Sequence, residues 1–493
     1  MTTSLVFALS PFLVLAFGTL FLMLSEAFAK NRGGMALGAS LVFFASGASA
    51  LGVWMRGLDG IDVSVLMPWL VLDSFTLFFC VLLTLGGALA ALLAGGYLPE
   101  HNLDRGEFYS LLLLSTLGAM VLAAAGDLLT LFLGLETMSL GVYALTGFRR
   151  ASPRSTEGAI KYFLLGSFAA ALMLYGFALL YGATGTTQLA QIGSALRGGL
   201  RSPMVVFGLV LTLVGLAFKV SAVPFHMWTP DAYEGAPTPA TTYMAVVVKC
   251  AAFAMMLRVL GTAFADGGST SWASGWPPVL SWLAVITMTV GNLIAGRQES
   301  VKRMLAYSSI AHAGYLLVGV VSTVRSGADA EGSVLFYLLV YTVSTVGAFG
   351  TLILCGSRGA EAVSYEDLAG IGRRHPAAAL PFMLFLLSLA GIPPTAGFFG
   401  KWFLLRAAMN GGYTLLTIVM VLNSVLAAFY YLRVLVFMYM REPAAGAPVA
   451  KPMSSGYVTA ALLVSAVLVV MLGLTPGSSL DFALSAAKVL VSS

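Results

Sequence analysis

The sequence predicts an all-α protein that crosses a membrane about fourteen times. Hydrophobic residues make up 59% of its 493 residues, charged residues make up 10%, and the mean hydropathy is +0.92. A soluble domain of this size needs more polar side chains than that to cover its surface. Apolar runs of about twenty residues, each long enough to cross a hydrocarbon core of roughly 30 Å, recur along most of the chain. We therefore expect a multi-pass membrane protein with no separate soluble domain.

The predicted spans are separated by loops that are charged or rich in proline and glycine. They lie near residues 4–27, 35–55, 69–96, 107–125, 127–147, 157–182, 203–225, 238–261, 278–296, 303–324, 331–355, 377–408, 412–440 and 456–475. We group them into N-terminal helices 1–3 (residues 1–106), a first five-helix unit (107–261), a second five-helix unit (278–440), and a final helix with a tail (441–493).

The distribution of basic residues predicts the orientation, because cytoplasmic loops of membrane proteins are enriched in lysine and arginine. With the N-terminus outside, the cytoplasmic loops hold Lys30, Arg32, Arg105, Arg149, Arg150, Arg154, Arg297, Lys302, Arg303, Arg358, Arg373, Arg374, Arg441 and Lys451. The other side holds Arg56, Arg197, Arg201, Arg258, Arg325, Arg406 and Lys488. We therefore expect both termini on the periplasmic face of the inner (plasma) membrane. The basic residues are dispersed, which disfavours a nucleic-acid-binding surface.

One stretch, FKVSAVPFHMWTPDAYEGAPTP at residues 218–239, combines charge with a helix breaker inside an apolar region. Lys219 follows about sixteen apolar or small residues, so a continuous helix would carry its ammonium into the bilayer, where it costs a few kcal/mol or more unless paired or hydrated. Pro224 has no backbone N–H and disfavours the helical conformation at Val223. The carbonyls freed at that depth need protein or water as partners. The stretch therefore predicts a discontinuous transmembrane helix at a hydrated ionic site.

An internal repeat has a period of 174 residues. The matched positions are Glu157-Gly158 with Glu331-Gly332, Phe163-Leu164-Leu165 with Tyr337-Leu338-Leu339, Gly176 with Gly350, and Phe225 and Trp228 with Phe399 and Trp402. Five predicted helices separate the copies, an odd number, so the second copy should lie inverted in the membrane. It has its own helix breaker, Gly391-Ile392-Pro393-Pro394, ahead of Lys401. Chance matching between apolar helices is the alternative; two inverted five-helix repeats with two discontinuous helices are typical of transporters.

Five basic residues are assigned to neither side and lie within predicted spans, namely Lys161, Lys219, Lys249, Lys401 and Arg433. Glu136 is an acidic counterpart inside the fifth span. The helical rise of 1.5 Å per residue puts Glu136 and Lys249 near the membrane midplane. Burial and like charge favour neutral lysine, whereas a nearby carboxylate favours the charged form. Movement of a carboxylate would therefore switch a lysine between holding and releasing its proton. We expect Glu136, Lys219, Lys249 and Lys401 to form a proton path through a wet interior.

Structural alternatives remain open for several of these residues. Glu136 and Lys219 would also be compatible with a static ion pair. Lys161 lies four residues after Glu157 near the cytoplasmic surface, which is the spacing of a helical ion pair. For Lys249 and Lys401 the sequence offers no second intramembrane carboxylate, so the functional interpretation is stronger there.

Two histidines are candidate proton relays, because imidazole titrates near neutral pH. His226 follows Pro224, and His312 lies in the middle of the tenth predicted span. The alternative is that each is a structural hydrogen-bonding group. Arg433 is expected to pair structurally or to extend toward the interface, and Asp127 is expected to cap the fifth helix.

The sequence predicts no redox cofactor and no metal site in this chain. Cys80, Cys250 and Cys355 are far apart in apolar runs, which fits neither a disulfide framework nor a zinc site. There is also no cysteine cluster for iron–sulfur centres, no glycine-rich dinucleotide motif after a strand, and no histidine pair at haem-ligand spacing.

Four motifs carry a resemblance to a known family: LGLETMSLGVYALTG, FKVSAVPFHMWTPDAYEGAPTP, VKRMLAYSSIAHAGYLLVG and GIPPTAGFFGKW. Over about residues 100–440 the chain resembles the antiporter-like membrane subunits of respiratory complex I, especially the subunit N or subunit-2 type. The lysine of GFFGKW, Lys401, favours that type, because the subunit M type is expected to carry glutamate there.

The resemblance implies a proton-pumping subunit of NADH-quinone oxidoreductase with Glu136 and Lys219 as the charged pair, Lys249 as the central lysine, and Lys401 toward the outer exit. It also implies that NADH, FMN, iron–sulfur clusters and quinone bind partner subunits, and that subunits M, K and J are neighbours. The alternatives are a subunit of a cation/proton antiporter or membrane-bound hydrogenase, which share the fold, and a scaffold in which the buried charges only fix helix registry.

Overall fold

The computed structural model describes residues 2–28, 34–58, 61–197, 202–356, 360–443 and 450–492. Four basic residues used to predict the orientation lie outside these ranges, namely Lys30, Arg32, Arg201 and Arg358. Throughout the described ranges the secondary structure is helical, with three isolated β-bridges and no strand. The all-α prediction is therefore confirmed.

Twenty α-helices are present in the described ranges, and they are numbered in chain order. Their bounds are α1 Thr2–Ala8, α2 Ser10–Phe28, α3 Met35–Arg56, α4 Ser74–Glu100, α5 Glu107–Ala124, α6 Leu128–Thr146, α7 Pro153–Thr184, α8 Leu189–Ala195, α9 Pro203–Lys219, α10 Trp228–Gly235, α11 Thr238–Tyr243, α12 Lys249–Thr262, α13 Pro277–Ala295, α14 Val301–Cys355, α15 Ile371–Arg374, α16 Pro376–Ala390, α17 Ala396–Asn410, α18 Thr414–Met440, α19 Gly456–Leu474 and α20 Pro476–Ser492.

Eleven helical segments of the described chain are long and apolar enough to cross a membrane, and α9 and α16 are shorter apolar helices. The segment Thr238–Thr262 joins α11 to α12 through the π-helical residues Met244–Val248. Two predicted spans, 303–324 and 331–355, form the single long helix α14, which is interrupted where Gly327 adopts φ 51° and ψ −131°. Glycine tolerates this conformation because it has no Cβ.

Two helices are discontinuous, as the sequence predicts. The first breaks after Lys219, the last residue of α9, and resumes at Trp228. The second breaks after Ala390, where Gly391 has a φ of 84°, and resumes at Ala396. Both breaks lie where proline or left-handed backbone geometry prevents helical hydrogen bonding. Each break therefore lies close to one of the predicted lysines.

Some helix boundaries are spaced by about the period of the predicted repeat. α7 begins at Pro153 and α14 is interrupted at Gly327, 174 positions later, while α9 begins at Pro203 and α16 at Pro376, 173 positions later. The second break is shorter, so α17 begins earlier than the repeat alone would place it. The inverted arrangement of the two copies stays a prediction.

The tail predicted after the last span is helical in the structure. Helix α20 packs on α14 and α4, where Leu484 lies against Gly332 and Phe482 contacts the ring of Phe78. Phe482 also contacts the ring of Trp54 on α3. Alanines and leucines at helical spacing explain this packing, since they give α20 one buried face.

The innermost helices carry two of the predicted site residues, Lys249 and His312. Segments Ser74–Glu100, Thr238–Thr262 and Val301–Cys355 are almost entirely buried inside the protein, whereas α2, α7, α18 and α19 keep large apolar side chains on an exposed face. The central position of α12 and α14 keeps Lys249 and His312 away from the lipid-facing surface.

Candidate functional site

Lys219 ends α9 at the first break and is buried. Its Nζ donates a hydrogen bond of 2.8 Å to Ser139 Oγ of α6. The same ammonium lies 5.6 Å from the ring centres of Tyr143 and Tyr162, so aromatic faces offset part of its charge. The site thus compensates a buried cation with one hydroxyl and two rings.

Glu136 lies half-buried on α6, on the same face as the exposed side chains of Leu129, Leu133 and Leu140. Its Oε1 atom is buried and has no hydrogen-bond partner. Lys219 is close enough to act on it electrostatically, yet within the described ranges the two side chains form no direct ion pair. The static pair considered as an alternative is therefore not the arrangement seen, and Ser139 is the hydrogen-bond partner of Lys219 instead.

Lys249 begins α12 directly after the π-helical residues and is buried against α14. Its Nζ donates to both the backbone carbonyl and the Oγ atom of Ser309, each at 2.5 Å. Tyr341 donates its hydroxyl to the same Ser309 Oγ at 2.8 Å. Lysine, serine and tyrosine therefore form one connected polar group, although no carboxylate pairs with the lysine in the described structure.

His312 lies one turn after Ser309 on α14 and is also buried. Its Nδ1 is 2.6 Å from the hydroxyl of Tyr337, and its Nε2 is 3.1 Å from the hydroxyl of Tyr431. The ring centre of Tyr341 is 5.1 Å away. Both imidazole nitrogens are thus bonded to hydroxyls that can either donate or accept, which is the arrangement a proton relay needs.

Lys401, on α17 just after the second break, donates from Nζ to the carbonyl oxygen of Ala390 at 2.7 Å and lies 5.2 Å from the ring centre of Tyr315. A cavity of about 10 Å³ joins it to the histidine group, lined by His312, Tyr337, Val340, Tyr341, Ser344, Ser388, Leu389, Gly397 and Lys401. This volume is close to the space one water molecule needs. One water would therefore connect Lys401 to the hydroxyls around His312.

Lys161 and His226 lie apart from this buried group. Lys161 is 43% exposed and forms ion pairs with Glu157 at 2.6 Å and with Asp231 at 2.8 Å. These contacts include the helical pair that the sequence offers as an alternative to a proton-path role. His226 lies half-buried in the loop after the first break, and its Nδ1 is buried without a partner.

The sequence analysis did not identify the buried ion pair between Arg258 and Asp73. Arg258 was assigned to a loop on the outer side, but it lies within α12, is 3% exposed, and contacts Asp73 at 2.6 Å. It also donates to Thr76 and to the carbonyl of Ala123. Asp73 precedes an apolar run and is recognisable as a helix cap, but its long-range partner is not encoded in local spacing.

A second missed group lies around Glu361, in the segment between α14 and α15. Its carboxylate accepts from Tyr97 at 2.5 Å and Thr238 at 2.6 Å and pairs with Arg149 at 3.2 Å and Lys302 at 3.4 Å. Burial alone would raise the pKa of Glu361, but Lys302 and Arg149 together with the hydrogen bonds lower it to about 2. Glu361 therefore stays ionised and ties four segments together.

The described residues contain no group of three or more His, Cys, Asp or Glu side chains that could hold a metal ion. Cys80, Cys250 and Cys355 are buried as free thiols. The described site consists of lysines, tyrosines, serines, a glutamate and a histidine, all of which can donate or accept protons.

The fold and the site define a class of helical membrane protein. Ionisable side chains lie buried between its helices, and two of its lysines lie beside breaks in discontinuous helices. The family described as "NADH:quinone oxidoreductase/Mrp antiporter, TM" matches residues 125–427. NADH-quinone oxidoreductase subunit N 1 of Sorangium cellulosum (strain So ce56) is 67% identical over 498 aligned positions, covering 97% of this chain and 98% of the relative.

Two solved structures are also similar. A chain of respiratory complex I from Thermus thermophilus with bound aureothin is 35% identical, with a TM-score of 0.80 over 97% of this chain and 100% of that one. A chain of the Mrp complex from Dietzia sp. DQ12-45-1b is 23% identical, with a TM-score of 0.86 over 100% and 98%, and shows a shared fold. The chain therefore belongs to the subunit N family of NADH-quinone oxidoreductase. It is a proton-translocating membrane subunit of that complex and assembles with other membrane subunits.

Proposed function

We propose that this chain moves protons along a path comprising Glu136, Lys219, Lys249, His312 and Lys401, driven by electron transfer in partner subunits. The observation that carries the proposal is the polar group on α12 and α14, in which Lys249 and His312 are both bonded to hydroxyls. Protons can pass between hydroxyls, imidazole and amines without any large movement of the protein. Through one water in the small cavity, Lys401 would extend this path.

The first discontinuous helix supplies the other part of the proposed path. Lys219 and Glu136 are electrostatic neighbours without a direct ion pair. A rotation of either side chain would strengthen or weaken their interaction and so change the affinity of Lys219 for its proton. Transfer from Lys219 to Lys249 would need water between α6 and α12. His226 and Lys161 are proposed as entry groups on the basis of their positions at the break and near the cytoplasmic surface.

The proposal also covers the division of the chain and its surroundings. We propose that the N-terminal helices comprise residues 1–106 and the C-terminal part comprises residues 441–493. The two inverted five-helix units between them comprise residues 107–261 and 278–440. Both termini are proposed to lie on the periplasmic side of the inner membrane. Subunits M, K and J are proposed as neighbours, and NADH, FMN, iron–sulfur clusters and quinone are proposed to bind in partner subunits.

A second candidate function is cation/proton exchange. It is favoured by the family description, which includes Mrp antiporters, and by the fold shared with the Mrp complex of Dietzia. The two functions use the same buried charges but differ in the transported ion and in the energy source. NADH-driven proton movement that is unaffected by sodium ions would distinguish the first from the second.

The test is the variant Lys219→Ala in the assembled complex, in sealed membrane vesicles. We expect proton translocation per electron to fall strongly, because the variant removes the titratable group at the first break. The measurement is proton uptake together with NADH oxidation. Lys451→Ala, at an exposed position in the cytoplasmic loop, is the matched control and should leave the ratio unchanged. A normal ratio in Lys219→Ala would contradict the proposed path.

Lys401→Glu tests charge sign separately from titratability. The variant keeps a titratable group beside the cavity but reverses its charge. If a cation is required, proton translocation will fall as it does in a Lys401→Met variant. If a titratable group is sufficient, Lys401→Glu will retain translocation and Lys401→Met will not. Equal and normal translocation in both variants would remove Lys401 from the path.

A further inference from the structure

Glu331 is a buried carboxyl that the proposed path does not use. It lies on α14 just after the interruption at Gly327 and is 3% exposed. Its Oε1 atom is buried and has no hydrogen-bond partner in the described structure. An ionised carboxylate without partners is costly to bury. The side chain therefore needs a bound proton or another cation that the fold itself does not supply.

A large cavity lies beside this carboxyl. Its volume is about 390 Å³, and Glu331 and Arg325 line it together with Thr270, Trp276 and apolar side chains from α12. This volume accommodates many water molecules, in contrast to the small cavity beside Lys401. In the proposed orientation the cavity lies at the outer end of α12 and beside the interruption of α14 at Gly327. Water entering it would reach Glu331 from the outer side.

The internal repeat shows what is unusual about this position. Glu157, the matching residue of the first copy, pairs at 2.6 Å with Lys161, which is four residues further along α7. The residue four positions after Glu331 is Leu335, which is buried. The second copy thus keeps the glutamate but lacks the lysine that would hold it as a permanent anion.

The charged groups around Glu331 leave it without a dedicated counter-ion. Arg258 and Asp73 are near enough to act on it electrostatically, but they are paired with each other at 2.6 Å. Arg325 lines the same cavity, yet its guanidinium donates to the carbonyl of Gly411 at 3.3 Å and lies over the ring of Tyr413. On the α20 side, Leu484 lies against Gly332.

We propose that Glu331 is a proton-binding site at the outer mouth of the second five-helix unit. Its carboxylate takes up a proton to form an O–H bond and returns that proton to water in the 390 Å³ cavity. The direction of proton release, toward the outer side, rests on the proposed function, because the proposed orientation defines which side is the outer one. It adds a carboxylic acid at the end of the proposed path, whose other members in this unit are amines, hydroxyls and an imidazole.

Labelling with a hydrophobic carbodiimide tests proton occupancy without any pumping. The reagent takes the proton of a carboxylic acid onto its nitrogen while the carboxyl oxygen bonds to its central carbon, so an ionised carboxylate reacts poorly. In the purified complex at neutral pH, we expect mass spectrometry to find several-fold more modification at Glu331 than at Glu157, the paired counterpart. Modification should fall as pH rises. No modification of Glu331 at any pH would overturn the proposal.

Two further results separate a proton site from its alternatives. If sodium chloride suppresses modification at constant pH whereas potassium chloride does not, Glu331 binds sodium and the proton proposal is wrong. Leu335→Lys recreates the first-copy pair, and we expect it to abolish modification of Glu331, with Leu335→Met as the volume-matched control. If modification persists unchanged in Leu335→Lys, the missing lysine does not explain the site.

The role in proton translocation is tested with Glu331→Gln, which preserves shape but cannot ionise. We expect the proton-to-electron ratio to fall at least twofold in sealed vesicles, while Glu366→Gln, at an exposed position outside the path, leaves the ratio near normal. A normal ratio in Glu331→Gln overturns the outer-mouth role even where labelling shows a protonated acid. Failure of Lys219→Ala to alter translocation would instead contradict the main path and leave the labelling result interpretable.

Discussion

The buried charges of the lysines at the two helix breaks are stabilised by different neighbours. Lys219 at the first break has a hydroxyl partner, two aromatic rings and a carboxylate, Glu136, on the neighbouring helix. Lys401 at the second break has one backbone carbonyl, one ring and a small cavity, with no carboxylate among its described neighbours. The first lysine therefore has a carboxylate within electrostatic range, and the second has none among the described residues.

This difference indicates separate roles for the two sites. A lysine beside a carboxylate responds to movement of that carboxylate, because the interaction between opposite charges changes steeply with distance in a buried setting. A lysine without such a partner responds mainly to hydration and to the break in its helix. We therefore expect the first site to sense changes in neighbouring subunits, and the second to depend on the water in its cavity.

The largest effect is expected for Gly397→Ala, which affects only the second break. A Cβ at this position would overlap the carbonyl oxygen of Ser388, and backbone cannot move aside as a flexible side chain can. We expect the free energy of unfolding to fall by about 3 kcal/mol. The measurement is the fraction of subunit that remains assembled after mild heating. Gly456→Ala is the control, since its added Cβ would meet nothing within 4 Å. Equal stability of the two variants would show that the second break is not tightly packed.

Glu361→Gln is expected to weaken the connection between the two proposed five-helix units, because Arg149 comes from the first and Lys302 from the start of the second. The folded-state pKa of Glu361, about 2, lies below its ordinary value of 4.5. Its carboxylate therefore stabilises the fold above pH 4.5, by on the order of 3 kcal/mol, and this contribution is lost as the pH falls toward 2.

Thermal unfolding at two pH values tests whether the contribution of Glu361 to stability is lost on acidification. At pH 7, Glu361→Gln should unfold at a clearly lower temperature than the parent protein, and the difference should shrink as the pH falls below 4.5. Glu366→Gln is the control, because Glu366 is exposed on the same loop. A difference that grows on acidification would contradict the assigned pKa direction.

Replacing each lysine by methionine tests the comparison between the two breaks directly. Lys219→Met removes the positive neighbour of Glu136 and should lower the free energy of unfolding by about 1–2 kcal/mol, a value reduced by the partial exposure of that carboxylate. Lys401→Met leaves no charge unpaired, so its stability should be unchanged or higher. Thermal unfolding of the purified complex measures both. Greater destabilisation by Lys401→Met would reverse the proposed difference.

The smallest effect is expected for Tyr337→Phe, which gives the second copy the residue that the first copy has at Phe163. The variant removes one hydroxyl partner of His312 and should cost about 1 kcal/mol. We also expect slower NADH-driven proton uptake in assembled complex. The reverse change, Phe163→Tyr, affects an exposed side chain on α7 and should alter neither quantity. An unchanged rate in Tyr337→Phe would argue against a relay through His312.

Much of the fold is predictable from the sequence because the membrane imposes a length and a polarity on every span. The broken helices were also predictable, since Pro224 and the Gly391-Pro394 segment interrupt helical hydrogen bonding wherever they lie. The bend at Gly327 was predicted only as a boundary between spans, because a single glycine does not specify whether the helix stops or continues. Helix α20 was missed because its apolar face is short.

The site is predictable in part, because buried charges in apolar runs are visible in any sequence. The sequence identified the lysines, Glu136 and His312 as candidates, and the structure brings Lys249, His312 and Lys401 into one region. It could not identify Ser309 or Tyr337 as their partners, since serine and tyrosine are common in such helices. Contacts between distant segments, such as those of Glu361, depend on tertiary packing and leave no local pattern.

The π-helical residues Met244–Val248 have a geometric consequence for Lys249. A π-turn holds one more residue than an α-turn, and each α-helical residue advances the side-chain direction by about 100°. Every side chain after the turn therefore points in a direction that an uninterrupted α-helix would assign to a neighbouring residue. The extra residue therefore rotates all following side chains about the helix axis. It determines which surface Lys249 faces, so deleting one residue between 244 and 248 would turn the lysine away from Ser309 with its chemistry unchanged.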